Sequence, residues 1–372
     1  MKKKIKLIFF HPYSYLGGAD NSLQRLIKKL DLNKFSITFV SLNSSYLKKN
    51  LSKKIQFKKL MVSRTIYAMP ELRKLILSFS NGEFKKIIVI SNQNFANIIS
   101  YFSTIFINNI KRIFIDRNHI DELNFTKNSK EKFKKIIIKF LMKITYPKAN
   151  QVIGVSNKLS NDLSIFVKTN VKTIYSPSFD TDIIKKSRET INLNKKFKYI
   201  INVSRFSKRK DHKTTLNAFK IVSKKYDKIK LILIGYGEER KNIIKLAKHL
   251  NIHDKILIIN KTDNPYSYIR KSKLLILTSL YEGFPNILVE SLTIGTPVIS
   301  TNMNSGASEI LLNGKGGDLV KLGDYVNLSK KIISFFNSPK KLLRKKNIAK
   351  KKLYRFNTIT HSKIYSKIFQ KI

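Results

Sequence analysis

Cysteine is missing from the chain altogether, which excludes a disulfide framework and any metal held by thiolates. Histidine is scarce, six residues in 372, and none falls in a metal-ligand spacing such as H-E-x-x-H. A metal held by carboxylates alone would have no motif behind it. Acidic residues are few as well, 23 against 74 Lys and Arg, which leaves a formal charge of +51 at neutral pH. Long apolar runs are also lacking. The most apolar stretch, Ile87 to Ile110, is broken by Asn92, Gln93, Asn94, Asn97, Asn108 and Asn109, so no segment reads as a membrane span. The start MKKKIKLIFFHP is basic then apolar like a signal peptide, but its apolar part is too short. It reads as a first buried strand, and the chain as cytoplasmic.

An excess of positive charge on this scale attracts polyanions: nucleic acid, anionic lipid or phosphorylated substrates. Lys, Ile and Asn are inflated together, however, so a bias of composition explains the charge as well as a function does. A length of 372 residues suggests two domains with ample material for real cores.

Taken in order, the chain alternates strands and helices. IKLIFF is an apolar run of the kind buried on both faces of a parallel sheet. The loop HPYSYLGGAD follows, with Gly17-Gly18, and then Leu23, Leu26, Ile27 and Leu30 at helical spacing, capped by Asp20 or Asn21. Further strands are read at Phe35 to Leu42, Lys85 to Ser91, Lys111 to Asp116 and Asn150 to Ser156. Such alternation argues for a doubly wound parallel sheet, whose ligands sit beyond the strands' C-terminal ends. That singles out Arg117, Asn118 and His119, the last either a general base or sugar-hydroxyl partner or a solvated loop side chain. Phe133 to Tyr146 is an amphipathic helix, with Phe133, Ile136, Ile137, Phe140, Leu141 and Ile144 at helical spacing. Such a stripe can lie on an anionic membrane, although packing on its own sheet is the commoner outcome, and both readings stay open for it.

Thr181 to Lys198 is polar and lysine-rich, as an interdomain linker would be. The second half repeats the alternation: strand KYIINVS, helix from about His212 to Lys225, strand KLILIG, helix Glu238 to Leu250, strand KILII, helix near Pro265 to Lys271, and strand KLLILTS. Two such domains would face each other across a cleft. Gly235-Tyr236-Gly237 lacks the third glycine of a dinucleotide fingerprint, which leaves it as one wall of a ligand site. The basic tail Ser338 to Arg355 reads as a solvated surface, followed by a short amphipathic helix from Thr360 to Ile372.

The most informative stretch is TSLYEGFPNILVESLTIGTPVIS, Thr278 to Ser300. Glu282 and Glu290 stand with seven residues between them. The local signals are a strand ending at Ser279, the loop EGFP, a helix with Pro285 near its first turn, and a stop at Gly295 and Pro297. The helix N-terminus is then available to an anion. Arg205 and Lys210 follow another strand, as a fork and a point charge suited to a diphosphate. Cations, a helix N-terminus and two carboxylates together suit a nucleotide-sugar, with the charges neutralising the departing diphosphate.

These motifs resemble the retaining glycosyltransferases of family 4, which have the two-domain GT-B architecture, nearly end to end. LGGAD matches the N-terminal glycine loop, VSRFSKRKD the arginine–lysine segment, LILIGYGEER the strand and glycine turn behind the donor, and SLYEGFPNILVES the carboxylate motif. SGASEIL followed by GKGGDLV matches a downstream loop of bacterial members acting on UDP-sugars.

The resemblance implies a retaining, metal-independent transfer of a hexose or N-acetylhexosamine from a nucleoside-diphosphate sugar, most simply a UDP-sugar. The acceptor would be a hydroxyl of a glycan or polyprenyl-linked acceptor in surface-polysaccharide synthesis, at the inner face of the cytoplasmic membrane. Arg205 and Lys210 would clamp the diphosphate, Glu290 would bind ribose, and Glu282 would sit by the sugar. Gly235 would lie behind the donor, the amides of Gly283, Phe284, Asn286 and Ile287 would line sugar and phosphate, and Gly17 and Gly18 would approach from the first domain. His119, or else Arg117 or Asn118, would serve the acceptor side. Ser204 stands where the family usually has glycine, and Asp20 where many members carry Glu. Expected limits are 1–185 for an acceptor-side domain, 196–357 for the donor domain and 358–372 for a helix crossing back to the first. No cofactor beyond the nucleotide-sugar is implied, and an anionic membrane surface, not nucleic acid, is the expected larger partner. Two alternatives stay open at this level: a basic protein binding nucleic acid or anionic membrane on an inactive scaffold, and a nucleotide-sugar epimerase.

Overall fold

The computed structural model describes residues 3–13, 17–43, 51–126, 128–260, 262–303 and 306–372. Leu16 of LGGAD and Ser305 of SGASEIL lie outside them. The chain divides into two compact units, Met1–Pro177 with Thr358–Ile372, and Ser178–Asn357.

In the first unit the strands are β1 (Ile5–Phe10), β2 (Phe35–Ser41), β3 (Gln56–Lys59), β4 (Lys86–Asn92), β5 (Ile110–Asp116), β6 (Gln151–Gly154) and β7 (Val171–Thr173). They form one sheet in the order β3-β2-β1-β4-β5-β6-β7, with β1 parallel to both β2 and β4. All six residues of β1 are buried, as expected of a central parallel strand covered on both faces. Crossovers are made by α1 (Gly18–Lys28), α2 (Ala68–Leu77), α3 (Asn94–Thr104), α4 (Ser129–Thr145) and α5 (Asn157–Val167). Ile8, Val40 and Val89 of the sheet pack with Leu72 and Ile76 of α2 and Ile99 of α3. The C-terminal helix, Thr358–Lys371, packs beside α1. Its Phe369 meets Phe9 and Phe35 edge-on at 6.3 and 5.8 Å.

The second unit holds β8 (Lys198–Val203), β9 (Ile229–Ile234), β10 (Ile256–Ile259), β11 (Leu274–Leu277), β12 (Val298–Thr301) and β13 (Asp318–Val320), in the order β10-β9-β8-β11-β12-β13. Around them lie α6 (Thr181–Ser187), α7 (His212–Lys225), α8 (Arg240–His249), α9 (Tyr266–Lys271), α10 (Asn286–Ile294), α11 (Ala307–Ile310), α12 (Tyr325–Asn337) and α13 (Lys340–Lys350). Phe206, Phe219, Leu231, Leu274, Ile276 and Ile332 belong to one continuous core.

Strand order reverses direction between β1 and β4 in the first sheet and between β8 and β11 in the second. At such a switch point the connections leave to opposite sides and open a crevice for ligands.

One expectation needs correction, and one of two open readings is excluded. The supposed linker Thr181 to Lys198 begins with α6, whose Ile183 is buried and which packs on α9 and α10. This helix belongs to the second unit, so the first-domain limit moves from 185 back to Pro177. The amphipathic helix α4 does not put its apolar stripe on the sheet. It buries Ile138, Met142 and Thr145, while Phe133, Ile136, Ile137, Phe140 and Ile144 are exposed. Those five fall within an arc of about 100° at 100° per residue, opposite the buried side. No helix among the described residues is long and apolar enough to cross a membrane.

Candidate active site

At the second switch point, hydroxyls hold the loops after β8 and β11 together. The Thr278 hydroxyl lies 3.0 Å from the carbonyl oxygens of both Lys210 and Asp211 and 2.9 Å from the Thr215 hydroxyl. The Thr301 hydroxyl donates to the Ser279 carbonyl at 2.7 Å, and the Leu280 amide donates to the Arg209 carbonyl at 2.8 Å. Thr215, Thr278, Ser279 and Thr301 are fully buried, so each of these bonds satisfies a group that would otherwise be costly to enclose. Asp211 takes a left-handed conformation, φ 45° and ψ 54°, and caps α7 through the Thr214 amide and hydroxyl.

This stitching brings Lys210 against Glu282, 72 residues further along the chain. The Lys210 ammonium is paired with Glu282 Oε1, which also accepts a hydrogen bond from the Ser279 hydroxyl at 2.9 Å. Burial pulls the Lys210 ammonium below the usual lysine range, and Glu282 opposes that shift. Burial alone would push the Glu282 carboxyl up. The charges of Lys210 and Arg209, with the hydrogen bonds from Lys210 and Ser279, outweigh it and hold the group below its ordinary value. An ionised pair in a largely dry setting is the result.

Arg205 stands apart from that pair. Its side chain is 47% exposed, with Nη2 3.7 Å from Glu238 Oε2 and the guanidinium 6.0 Å from the centre of the Tyr236 ring. Gly235 has a packing reason to be glycine: a Cβ there would fall inside the van der Waals shell of the Ser204 carbonyl oxygen. The Phe206 amide donates to the Tyr236 carbonyl at 2.8 Å, so the turn after β9 supports the loop that carries Arg205. Ser204 is integrated there too, donating to Asn202 Oδ1 at 2.7 Å and lying 3.2 Å from His212 Nε2. Burial, with Lys210 nearby, pulls the His212 imidazole down to about 4, so it is neutral at physiological pH.

Between the two carboxylates, Gly283, Phe284 and Asn286 are buried and Ile287 is half-buried. Pro285 is the N-cap of α10 and supplies no side-chain cap, and the first turn of the helix holds no acidic residue, so nothing within the helix itself neutralises the positive end of its dipole. Gly295, at φ 104°, ends the helix in the left-handed conformation that favours glycine. Glu290 is buried on α10, with Tyr266 Oη 3.5 Å from its Oε1. The structure thus joins Lys210 to Glu282 and sets Glu290 in a separate, tyrosine-lined position.

In the first unit, Gly17 is the N-cap of α1 and Gly18 its first residue. Asp20 reaches back to the Gly17 amide at 2.9 Å while its other oxygen lies 2.7 Å from His11 Nε2. Arg117 is buried, bonded to Asn92 at 2.9 Å and to Ser22 at 2.7 Å, and Asn118 is half-buried. His119 is not a solvated loop side chain. It is buried, with Nε2 2.8 Å from Asp162 and Nδ1 3.0 Å from Asp121. Both ring nitrogens are engaged, and the side chain ties the end of β5 to α5.

Three residues before His119, at the end of β5, Asp116 is buried and accepts from the Tyr146 hydroxyl at 2.6 Å. Burial pushes its carboxyl up to about 7, despite that hydrogen bond. A carboxyl raised in this way keeps its proton in the folded state after the unfolded chain has lost it. Its contribution to stability is therefore present at acid pH and falls as pH rises from the unfolded value towards 7. Asp116→Asn is expected to remove that fall, gaining at most about 4 kcal/mol near pH 8, read from denaturant midpoints at about pH 5 and pH 8.

Sequence reasoning missed Ser279 and the threonine stitching, because a buried hydroxyl leaves no periodic signal. Among the described residues no group of three or more His, Asp or Glu side chains is placed to hold a metal ion.

Known proteins share parts of this sequence and the whole of this fold. The model of the glycosyl transferases group 1 family matches residues 183–352. A Campylobacter jejuni protein, N-acetylgalactosamine-N,N'-diacetylbacillosaminyl-diphospho-undecaprenol 4-alpha-N-acetylgalactosaminyltransferase, is 28% identical over 363 residues, covering 95% of this chain and 93% of that protein. The fold matches sucrose-phosphate synthase from Thermosynechococcus elongatus, with a TM-score of 0.85, 15% identity and 99% of each chain covered. It also matches Anabaena HepE, solved in complex with UDP-glucose, with a TM-score of 0.80, 17% identity, and 99% of this chain and 100% of that one covered. Residues 183–352 thus match the group 1 glycosyl transferases, and the chain has the GT-B fold, two α/β units each built on a parallel sheet.

Proposed function

We propose that the protein transfers a hexose or N-acetylhexosamine from a UDP-sugar to a hydroxyl of a polyprenyl-diphosphate-linked glycan, with retention at the anomeric carbon, in surface-polysaccharide synthesis. The observation that carries this reading is the buried Lys210–Glu282 pair at the β8/β11 switch point. There a fixed cation, the N-terminus of α10 and a carboxylate are contributed by neighbouring strand ends. Lys210 and Arg205 hold the diphosphate, with the amides of Gly283, Phe284, Asn286 and Ile287 lining phosphate and sugar. Glu282 accepts from sugar hydroxyls and Glu290 from the ribose. Gly17 and Gly18 also touch the donor, and Arg117, Asn118 or His119 serves the acceptor.

In the reaction, the bond from sugar C1 to the β-phosphate oxygen breaks and a bond from C1 to the acceptor oxygen forms on the same face. The acceptor's proton passes to the departing phosphate. Fixed positive charge on the leaving group supplies the stabilisation that a divalent ion gives in other transferases, so the transfer proceeds without a metal. Support for the donor is the UDP-glucose complex of HepE, which shares the fold. Support for the acceptor class is the diphospho-undecaprenol substrate in the name of the Campylobacter relative.

The exposed stripe on α4 bears on where such an acceptor is met. Phe133, Ile136, Ile137, Phe140 and Ile144 face outward, with Lys132 and Lys143 exposed on one side of the stripe and Lys130 and Lys134 on the other. We assign this face to the headgroup region of an anionic membrane, making the protein peripheral at the inner face of the cytoplasmic membrane.

A screen of nucleoside-diphosphate sugars by thermal shift and turnover tests the donor reading. UDP-sugars are expected to raise the melting midpoint, and turnover with the productive one is expected to be unchanged by EDTA. Stabilisation by another nucleotide alone would reject the UDP assignment, and loss of turnover in EDTA would reject metal independence.

A further inference from the structure

The chain enters the second unit at Ser178 and leaves it just after Phe356. These two points, far apart in sequence, are bound together: the Ser178 amide donates to the Phe356 carbonyl at 3.0 Å, and Phe179 pairs with Asn357 in a parallel bridge. Both residues also reach the loop between the two carboxylates. The Ser178 hydroxyl donates to Asn286 Oδ1 at 2.6 Å, and the Phe356 ring lies 5.2 Å from the Phe284 ring, tilted by 60°. Ser178 and Phe356 are fully buried, and Phe284 and Asn286 nearly so.

We infer that Ser178 and Phe356 are positioning residues for the Gly283–Ile287 loop. The argument follows from what that loop must do, and it rests on the donor-binding reading of the loop given above. Glu282 stands immediately before it and Glu290 on the helix it starts, so a small displacement of the loop moves both carboxylates and the amides between them. Asn286 is the first residue of α10. A hydrogen bond to its side chain therefore fixes the helix's first turn, while the aromatic contact fixes the residue two before it. Neither a serine hydroxyl already donating to Asn286 nor a buried phenyl ring is needed as a substrate ligand. Their contribution is geometric: an electrostatic site works through donors and charges held in place before the substrate arrives.

Ser178→Ala removes one hydroxyl and is expected to leave the fold intact. Losing one such hydrogen bond should raise the donor KM about 5- to 10-fold, with the acceptor KM unchanged, and Ser178→Thr should restore it. In an Asn286→Ala background the same Ser178→Ala change should have no further effect, because its partner is already gone. Phe356→Leu keeps an apolar filler and is expected to be milder than Phe356→Ala in the same direction. Equal effects of Ser178→Ala in both backgrounds, or none in either, would overturn the inference. Hydrogen exchange of the Phe284, Asn286 and Ile287 amides gives a readout that needs no donor. It should quicken in Ser178→Ala, and unchanged exchange would refute the positioning role whatever the enzyme's substrate. Wild-type protein that binds no nucleoside diphosphate, with exchange still faster in the variant, would refute the donor reading and leave the positioning role standing.

Discussion

Lys210→Met is expected to lower kcat/KM for transfer by at least about a thousandfold, the scale on which single preorganised electrostatic groups act. The lysine is the buried cation at the β8/β11 switch point, and in the proposed reaction it faces a leaving group that gains charge as the C1–O bond breaks. The same change should cost stability, because a buried ion pair that loses one partner leaves the other uncompensated, at about 3–5 kcal/mol. Glu282 is held below its ordinary range mainly by Lys210, against burial. In the wild type its contribution is therefore present at neutral pH and lost as pH falls through the folded pKa. In Lys210→Met that acid-side loss should vanish or reverse. Lys210→Met with Glu282→Gln is expected to recover much of the stability and none of the activity. Full activity in Lys210→Met, or a double variant as unstable as the single one, would show that the pair is not what holds this site. Arg205 is exposed and outside the buried pair, so Arg205→Ala should act chiefly on the donor KM.

The strand–loop–helix unit that carries Glu282 and Glu290 was legible in the sequence because its signals are local. An apolar run, a four-residue loop, Pro285 and Gly295 mark strand, turn, helix and stop within Thr278 to Ser300, and α10 and β12 fall there. Three short strands carry no such signal and are not read from the sequence, and a fourth, β11, is read two residues too far at its C-terminal end. β3, QFKK, is an edge strand with three of its four residues exposed, and β7 and β13 are three residues each. β11 ends at Leu277, before Thr278 and Ser279, whose side chains turn to stitching the loops.

What the sequence could not show was partnership over distance. Asp20 looked like a simple helix cap. It also holds His11, nine residues back. His119 reads as an exposed catalytic candidate until Asp121 and Asp162 are found on its two nitrogens. Ser178 lies in a stretch that reads as the approach to a linker, yet it bonds to a residue 108 positions away. Helix α4 stayed open for a different reason. Periodicity reports that a helix has an apolar face and not what covers it, and here a second, narrower row of Ile138, Met142 and Thr145 does the packing.

That uncovered face leads to the second large effect. Replacing Phe133 and Phe140 together by Ser is expected to weaken binding to vesicles containing anionic lipid by about two orders of magnitude, since each phenyl ring moved into the acyl boundary contributes about 1.5–3 kcal/mol at full burial and less at partial depth. Both rings are more than 60% exposed, so the substitutions should leave the melting midpoint in place or raise it slightly. Charge and apolar area make separable contributions. Replacing Lys132 and Lys143 by Gln should weaken binding to anionic vesicles with about 1 kcal/mol lost per lysine, reduce its salt sensitivity, and leave weak binding to neutral vesicles unchanged. The overall charge of +51 would by itself hold the protein near an anionic surface wherever that charge lies. The decisive comparison is therefore the phenylalanine pair at constant charge. If Phe133→Ser with Phe140→Ser binds anionic vesicles as tightly as the wild type, attraction is diffuse and α4 is not the docking face. If binding falls while transfer to a water-soluble acceptor fragment is preserved, the helix serves delivery of a lipid-held acceptor and not the chemistry at Lys210 and Glu282.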